Sequence, residues 1–509
     1  MGGGRRVPVI VGVGQVANKD PERLVHPVEL LEAAVREAIA DAGADLLPDV
    51  GTVLSSPLSV FADDDGGSMV ADRLGIPPGE RAQAGYSGAG PQRNLARACR
   101  AVAAGEVDAA LVVGGIADAS VRNARRLGVE PPAPPTSVWS QGSDHQRAGV
   151  AELERLPRYR NHPVMAEALA GAVMPVNMFA LVESALAHVA GRGPEAQRAR
   201  LGRLLAPFTE VAARRPDLAW FPTPRTADSI ADVRPDNRMV SEPYTKSMCS
   251  FPTIDLAAAV LVTSTEHARR VGVTSTPVHP WGVTSASQAG PPSTWPELHR
   301  PVSLDVAVAR VIESTATDVR EIGGFDFYSC FPAAVELASA AFGFDPLVDP
   351  RPLTRTGGLP YFGGPGASYN LHGIACTVED LRADPGSIGA VVGVGGAIHD
   401  FSVGIYSVAE PRRPASFTDA TDVTERLRAE MVPLARDQRG EATVEAMTVV
   451  HEREAGPVGA PVLVRLPDGS RTGARAADAE LVAELSGTSL VGRQVELATV
   501  DGTTTYVPA

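Results

Sequence analysis

Residues 83–115, QAGYSGAGPQRNLARACRAVAAGEVDAALVVGG, admit few folds. They read as a glycine-rich turn, one helix and one strand buried on both faces. Leu95, Ala98, Cys99 and Val102 recur at the spacing of a single apolar helix face. Pro91 suits the first turn, where a missing N–H costs nothing, and Gly105 suits the stop. Ala109 to Val113 is an unbroken apolar run of the kind found in a strand covered on both sides. Such a unit aims backbone N–H groups and the positive helix end at whatever faces the turn. It is a place for a nucleophile whose anion needs stabilising.

The flanking sequence repeats this alternation. Val7 to Val13 predicts a strand, and Pro27 opens a helix whose stripe is Val28, Leu31, Val35, Ala38, Ile39 and Ala42, stopped by Gly43. Val50 to Ser56 predicts a strand and Gly67 to Leu74 a helix. Between about 117 and 236 the pattern breaks into short helices such as 177–190, interleaved with Trp139, Met174, Met178, Phe179, Trp220 and Phe221. That is too long for a plain loop and predicts a helical insertion. Asp255 to Ser264 is another strand, and the alternation restarts near Val271. It continues with helices over 304–315 and 333–342 and strands over 325–331, 389–394 and 401–408.

Pro411-Arg-Arg-Pro414 reads as a linker. Beyond it a helix over 422–436 precedes strands over 442–450, 462–466, 495–500 and 503–507. Hairpin signals stand at Pro467-Asp468-Gly469 and Asp501-Gly502. A small antiparallel β-barrel or sandwich of about 90 residues follows from this spacing.

At 509 residues the chain exceeds one ordinary core. A net charge of −14 argues against a nucleic-acid surface and a polybasic membrane patch. The last segment, 415–509, holds nine arginines, no lysine and fifteen acids, so its barrel is not expected to bind oligonucleotides. Four separated cysteines without a Cys-x-x-Cys pair fit a reducing cytoplasm and argue against a zinc site. The start, MGGGRRVPVIVGVGQ, reads as a first strand, not a signal peptide, and no downstream run reaches membrane-spanning length.

Residues 83–115 resemble the nucleophile segment of the thiolase superfamily, especially its sterol-carrier-protein-2 type. Residues 237–246 and 255–264 resemble the return of those proteins into their first-half sheet. The C-terminal β-module is similar to the one that thiolase-like proteins of type 1 carry. The resemblance implies an α/β thiolase fold: two tandem βαβαβαββ halves in five αβαβα layers, plus a C-terminal antiparallel β-barrel-like domain. It places the first half at 1–270 (with a loop domain at about 117–245), the second at 271–410 and the added domain at 415–509. It also implies a homodimer by superfamily default, with a monomer left open.

The resemblance locates four catalytic loops, and each has lost its reactive side chain. Cys-x-Ser-Gly reads Gly88-Ala89-Gly90-Pro91, so the nucleophile position is Gly88. Cys99 lies eleven residues on, about 16 Å along a helix, and reads as core filler. His-Asp-Cys-Phe reads Tyr328-Ser329-Cys330-Phe331, with Tyr328 at the histidine and Cys330 structural. Gly-His-Pro reads Gly363-Gly364-Pro365, so the base position is Gly364; His372, eight residues further, reads as a satisfied helix residue with catalysis as the alternative. The fourth loop, normally Cys-x-Gly-Gly, falls in 392–397 without a cysteine.

Two functions follow from the resemblance. The first is an acetyl-CoA acetyltransferase-like member of lipid metabolism that binds a coenzyme A thioester or a partner without thiolase chemistry. Lys246, one of two lysines, would then contact a CoA phosphate, against the plainer reading of a solvated loop residue. The second is a retro-aldolase that cleaves a C–C bond of a CoA thioester through Tyr328 and Tyr369, as in steroid side-chain aldolases that work with an OB-fold partner. The plain alternative makes both tyrosines packing residues.

Overall fold

The computed structural model describes residues 6–59, 64–77, 79–136, 165–500 and 503–509; Trp139 and the Asp501-Gly502 turn lie outside them. Two sheets organise the chain. The first half contributes β1 (Pro8–Ala17), β2 (Val50–Ser55), β3 (Glu80–Gln83) and β4 (Ala109–Ala117). After the insertion come the short β5 (Met239–Ser241) and β6 (Tyr244–Thr245), then β7 (Asp255–Ser264). The second half gives β8 (His279–Ser287), β9 (Ile322–Phe327), β10 (Ile388–Gly395), β11 (Asp400–Ser407) and β12 (Ser416–Asp419).

The sheet orders are β1-β7-β4-β2-β3 and β12-β8-β11-β10-β9. The four strands β1-β7-β4-β2 and the four strands β8-β11-β10-β9 share one pattern, antiparallel, antiparallel, parallel. The tandem halves are therefore the same unit used twice. Helices Gly90–Ala104 and Tyr369–Ala383 hold equivalent places, each preceding the central parallel strand of its half. Leu95, Ala98, Cys99 and Val102 of one pack with Leu371, Ile374, Ala375 and Val378 of the other, between strand residues such as Val112, Val260 and Val391. This central layer is dry; each fully buried Leu or Val stabilises it by about 1.5–3 kcal/mol relative to exposure.

An outer layer covers each sheet. Helix Pro27–Ala42 packs Val28, Leu31 and Val35 on the first sheet. Its approach requires glycine in β1, because a Cβ at Gly12 would stand 2.1 Å from the Ala38 carbonyl oxygen. Helices Val302–Thr315 and Pro332–Ala341 cover the second sheet. These are the five layers of the thiolase fold.

The C-terminal strands are β13 (Gly440–Met447), β14 (Val450–Glu452), β15 (Gly456–Gly459), β16 (Val462–Arg465), β17 (Arg471–Ala476), β18 (Gln494–Val500) and β19 (Thr503–Pro508). Five close into a barrel in the order β13-β16-β17-β19-β18 around Val444, Val462, Val464, Val495 and Leu497. The β14–β15 hairpin leaves the barrel and continues a sheet with β5 and β6, in the order β15-β14-β5-β6.

Three local expectations change. The segment after Pro414 is not free linker, since β12 adds in parallel to β8. The next helix is Thr421–Ala429, shorter than 422–436, because Pro433 supplies no N–H and disfavours helix at Val432. The residues beyond it bond across instead: Val432 N to Thr294 O at 2.9 Å and Ala435 N to Arg471 O at 2.9 Å. The four-residue β3 was not foreseen, for its sequence Glu-Arg-Ala-Gln carries no strand signal.

Candidate active site

Gly88 sits on the turn that feeds helix Gly90–Ala104. An ideal Cβ there would lie 2.2 Å from the Val394 carbonyl oxygen and 2.6 and 2.8 Å from Cε2 and Cζ of Tyr328. The tyrosine ring and the Val394 backbone therefore fill the volume a side chain at 88 would need.

The turn is held across both halves. Ser87 Oγ donates to Asp400 Oδ2 at 2.5 Å and accepts from Ala89 N at 3.2 Å. Arg93 grips Asp400 with both terminal nitrogens, Nη1 at 2.6 Å from Oδ2 and Nη2 on Oδ1, while Ser287 Oγ donates to Oδ1 at 2.8 Å. Burial alone would raise the Asp400 pKa, but the bonds from Arg93, Ser87 and Ser287 outweigh it and hold the carboxyl below its ordinary value. Sequence reading did not find this network, because Ser87 and Asp400 are 313 positions apart.

The two tyrosines do different work. Their rings meet edge to face, centroids 5.3 Å apart at 84°. Tyr369 is 0% exposed and its hydroxyl lies 2.6 Å from Thr356 Oγ1. Thr356 belongs to a loop bound to Asp326, which accepts from Arg355 N at 2.8 Å and Thr356 N at 3.1 Å. Tyr369 is thus an anchor. Tyr328 is 9% exposed, and its hydroxyl has no hydrogen-bond partner among the described residues. Burial raises its pKa well above the ordinary phenol value, with Cys330 and Tyr86 adding to the effect. It is a donor at neutral pH, not a base. Tyr86, on the turn before Gly88, reaches the third loop: its hydroxyl is 2.9 Å from the place of a Cβ on Gly366. A lone loop tyrosine has no periodicity to betray it.

At Gly364 a Cβ would stand 2.2 Å from Ser250 Oγ, so a hydroxyl occupies the first space an imidazole there would need. If Gly395-Gly396 are the glycine pair of the fourth loop, its cysteine position is Gly393. A Cβ there would meet Asn370 Nδ2 at 2.2 Å and Ser402 Oγ at 2.5 Å. Amide and hydroxyl groups occupy the space a side chain would need at both positions.

His372 is 0% exposed, with Nδ1 2.9 Å from Gln15 Oε1 and its ring edge-on to Phe362. The amide oxygen only accepts, so Nδ1 carries the proton. Burial lowers its pKa to about 3, and it stays neutral. Lys246 is exposed in the turn Lys246–Met248. All four cysteines are free, and burial raises every thiol: Cys249 to about 12, and Cys99, Cys330 and Cys376 higher. None is a thiolate at neutral pH.

Residues 422–503 match the family model described as thiolase-like protein type 1 additional C-terminal domain. The chain is similar to a solved monomeric SCP2-thiolase like protein type 1 from Mycobacterium smegmatis. Identity is 27%, covering 99% of this chain and 100% of that one, with a TM-score of 0.82. It is also similar to the Ltp2-ChsH2(DUF35) aldolase, at 21% identity over 79% of this chain and 97% of that one, TM-score 0.57. An acetyl-CoA acetyltransferase from Syntrophomonas wolfei matches at 14% identity over 80% and 100%, TM-score 0.57. The last two show the fold alone. No curated protein sequence matches the chain. No helix among the described residues is long and apolar enough to cross a membrane.

Proposed function

We infer that this thiolase-like chain, similar over its whole length to the type 1 protein, binds a coenzyme A thioester without thiolase chemistry, in a cleft where Tyr328 meets the ligand. The observation that carries this reading is the volume at Gly88, taken up by the Tyr328 ring and the Val394 carbonyl. Thiolysis needs a thiolate there and a base beside it; neither position can supply one. A protonated phenol at the same spot is a hydrogen-bond donor for a thioester carbonyl. Lys246 would contact a CoA phosphate from its exposed turn. The setting is the cytoplasm, with the chain as a monomer like the type 1 relative: its edge strand β3 is short and carries Glu80 and Arg81, features that discourage edge pairing.

Retro-aldol cleavage is the second reading, favoured by the unpartnered Tyr328 hydroxyl and the fold shared with the aldolase. The phenol could protonate or orient a carbonyl, but Tyr369 is committed to Thr356, and burial keeps His372 a weak base with a pKa of about 3, so neither of the two supplies the base. One experiment separates the readings. Acetyl-CoA is expected to raise Tm, 3-ketoacyl-CoA plus CoA to give no thiolysis, and Tyr328→Phe to weaken acetyl-CoA binding by about tenfold, the loss of one buried hydrogen bond. Turnover of a β-hydroxyacyl-CoA that Tyr328→Phe abolishes would select the aldolase; thiolysis, or an acyl group on any cysteine, would overturn both.

A further inference from the structure

The seam between the helical insertion and the second half buries two carboxyl groups against one well-placed cation. Glu183, on helix Pro175–Val189, is 0% exposed; Glu336, on helix Pro332–Ala341, is 7% exposed. Gln197 Nε2 donates to both, to Glu183 Oε1 at 2.5 Å and to Glu336 Oε2 at 2.8 Å. Tyr244 donates its hydroxyl to Glu183 Oε2 at 2.7 Å. Arg200 Nε donates to Glu336 Oε1 at 2.7 Å, but its Nη2 is turned to Asp345 at 2.8 Å, and Arg192 stands off at 3.9 Å. Gln197 and Tyr244 bring no charge. Two carboxyl groups bridged by one amide nitrogen, with one guanidinium half-committed elsewhere, repel each other when both are charged.

This pair stands directly behind the candidate site. Tyr244 stacks on Phe331 (5.8 Å, 18°), and Phe179 packs on the same ring at 4.9 Å. Phe331 closes the Tyr328–Phe331 loop, and the helix that carries Glu336 starts at the next residue. A crevice beside the barrel, with room for water over about 30 Å³, reaches Glu183 between Arg192, Gln197, Glu242, Met447 and Thr488. On its far wall Glu242 is held by His451 at 2.9 Å and by Ser486 at 2.8 Å.

We propose that Glu183 keeps its proton beside the Glu336 carboxyl, and that this proton positions the Tyr328–Phe331 loop by locking the insertion to the second half. When it leaves through the crevice, two buried carboxylates repel and the Tyr244–Phe331 stack slackens. Burial and the charge on Glu336 raise the Glu183 pKa well above its ordinary value, in keeping with this. The native state then binds more protons than the unfolded one, so this contribution is complete below the ordinary carboxyl range and is lost as pH rises through the native pKa. The functional weight of the loop rests on Tyr328 meeting a ligand, but the test does not.

The full chain, Glu183→Gln and Glu336→Gln are melted from about pH 5 to about pH 9, and amide exchange over 328–333 is followed after correction for the intrinsic rate. The parent should lose Tm toward alkaline pH while exchange over 328–333 accelerates. Either variant should flatten both trends, so that the Tm of Glu183→Gln overtakes the parent at the alkaline end. Slope from other buried acids such as Glu167 is common to all three. Parallel profiles for parent and variants would overturn the proposal; should Glu183→Gln not fold, Glu336→Gln alone decides. Failure of acetyl-CoA to bind, with these profiles as expected, would count against the ligand reading only.

Discussion

Gly88→Cys is expected to give a less stable protein that still takes no acyl group, although the substitution restores the nucleophile's motif position. Its Cβ would need to sit 2.2 Å from the Val394 carbonyl oxygen, a backbone atom of β10 where that strand pairs with β11. The second obstacle, the Tyr328 ring at 2.6 Å, is itself packed against Tyr369. Overpacking of this kind costs about 1–3 kcal/mol and shifts the turn that Ser87 and Asp400 hold. Chemistry would fail for a separate reason: Gly364 carries no imidazole to take the thiol proton, and Ser250 occupies the space one would need. Adding Tyr328→Ala should recover part of the lost Tm by making room, a non-additive pair typical of residues in contact, without restoring acyl transfer. Thermal melting and intact mass after incubation with acetyl-CoA check both halves. An acetyl group at position 88 in the single variant would refute the account of the site.

What was legible in the sequence was local. The helix from Gly90 to Ala104 announced itself through Leu95, Ala98, Cys99 and Val102, and all four are 0% exposed in the central layer. Cys99 as core filler follows from the same periodicity. Positions 88 and 364 were legible as glycines, but not the groups that crowd them, Tyr328 and the Val394 carbonyl at one and Ser250 at the other. Tyr328 and Tyr369 look alike in sequence, and Thr356, thirteen residues from Tyr369 and bound to Asp326, marks Tyr369 as the anchor. Contacts between distant segments left no trace: Ser87 with Asp400, Glu183 with Glu336 through Gln197, and β5 with β14. Four of the barrel's five strands were readable from alternation and hairpin signals, whereas β17 and the attachment it carries were not, since a single charged residue in a strand reads as surface.

That residue is Arg471, at the start of β17, and Arg471→Ala is expected to be the most damaging substitution outside the two sheets of the body. Its side chain is 0% exposed. Nη1 donates to the carbonyls of Ser293 at 2.7 Å and Trp295 at 2.8 Å, on the body, while Nε donates to Glu445 Oε2 at 2.7 Å, on the barrel. From the other side Glu167, in the insertion, accepts from Ser293 N at 2.8 Å and Oγ at 2.7 Å, so one short turn, Pro292–Thr294, joins three parts of the chain. Removing the guanidinium strands two buried carbonyls and leaves Glu445 without its buried partner, a loss of about 3–5 kcal/mol for a fully buried pair. Glu445 is 26% exposed and Arg465 stands at 3.0 Å from it, so the lower end of that range applies. Arg471→Lys keeps the charge but not the planar fork and should recover only part of the loss. Burial already raises the Glu167 pKa to about 7, and the Arg471 charge is one of the terms holding it down. Glu167 therefore withdraws its contribution as pH rises from the ordinary carboxyl range through about 7, and without Arg471 that decline should extend to higher pH. Calorimetry should show the barrel melting ahead of the two-sheet body in Arg471→Ala, where the parent melts as one unit; a single transition at the parent's Tm would mean that the other contacts, among them the β14–β5 pairing and the bonds of Glu242 to His451 and Ser486, suffice to hold the domains together.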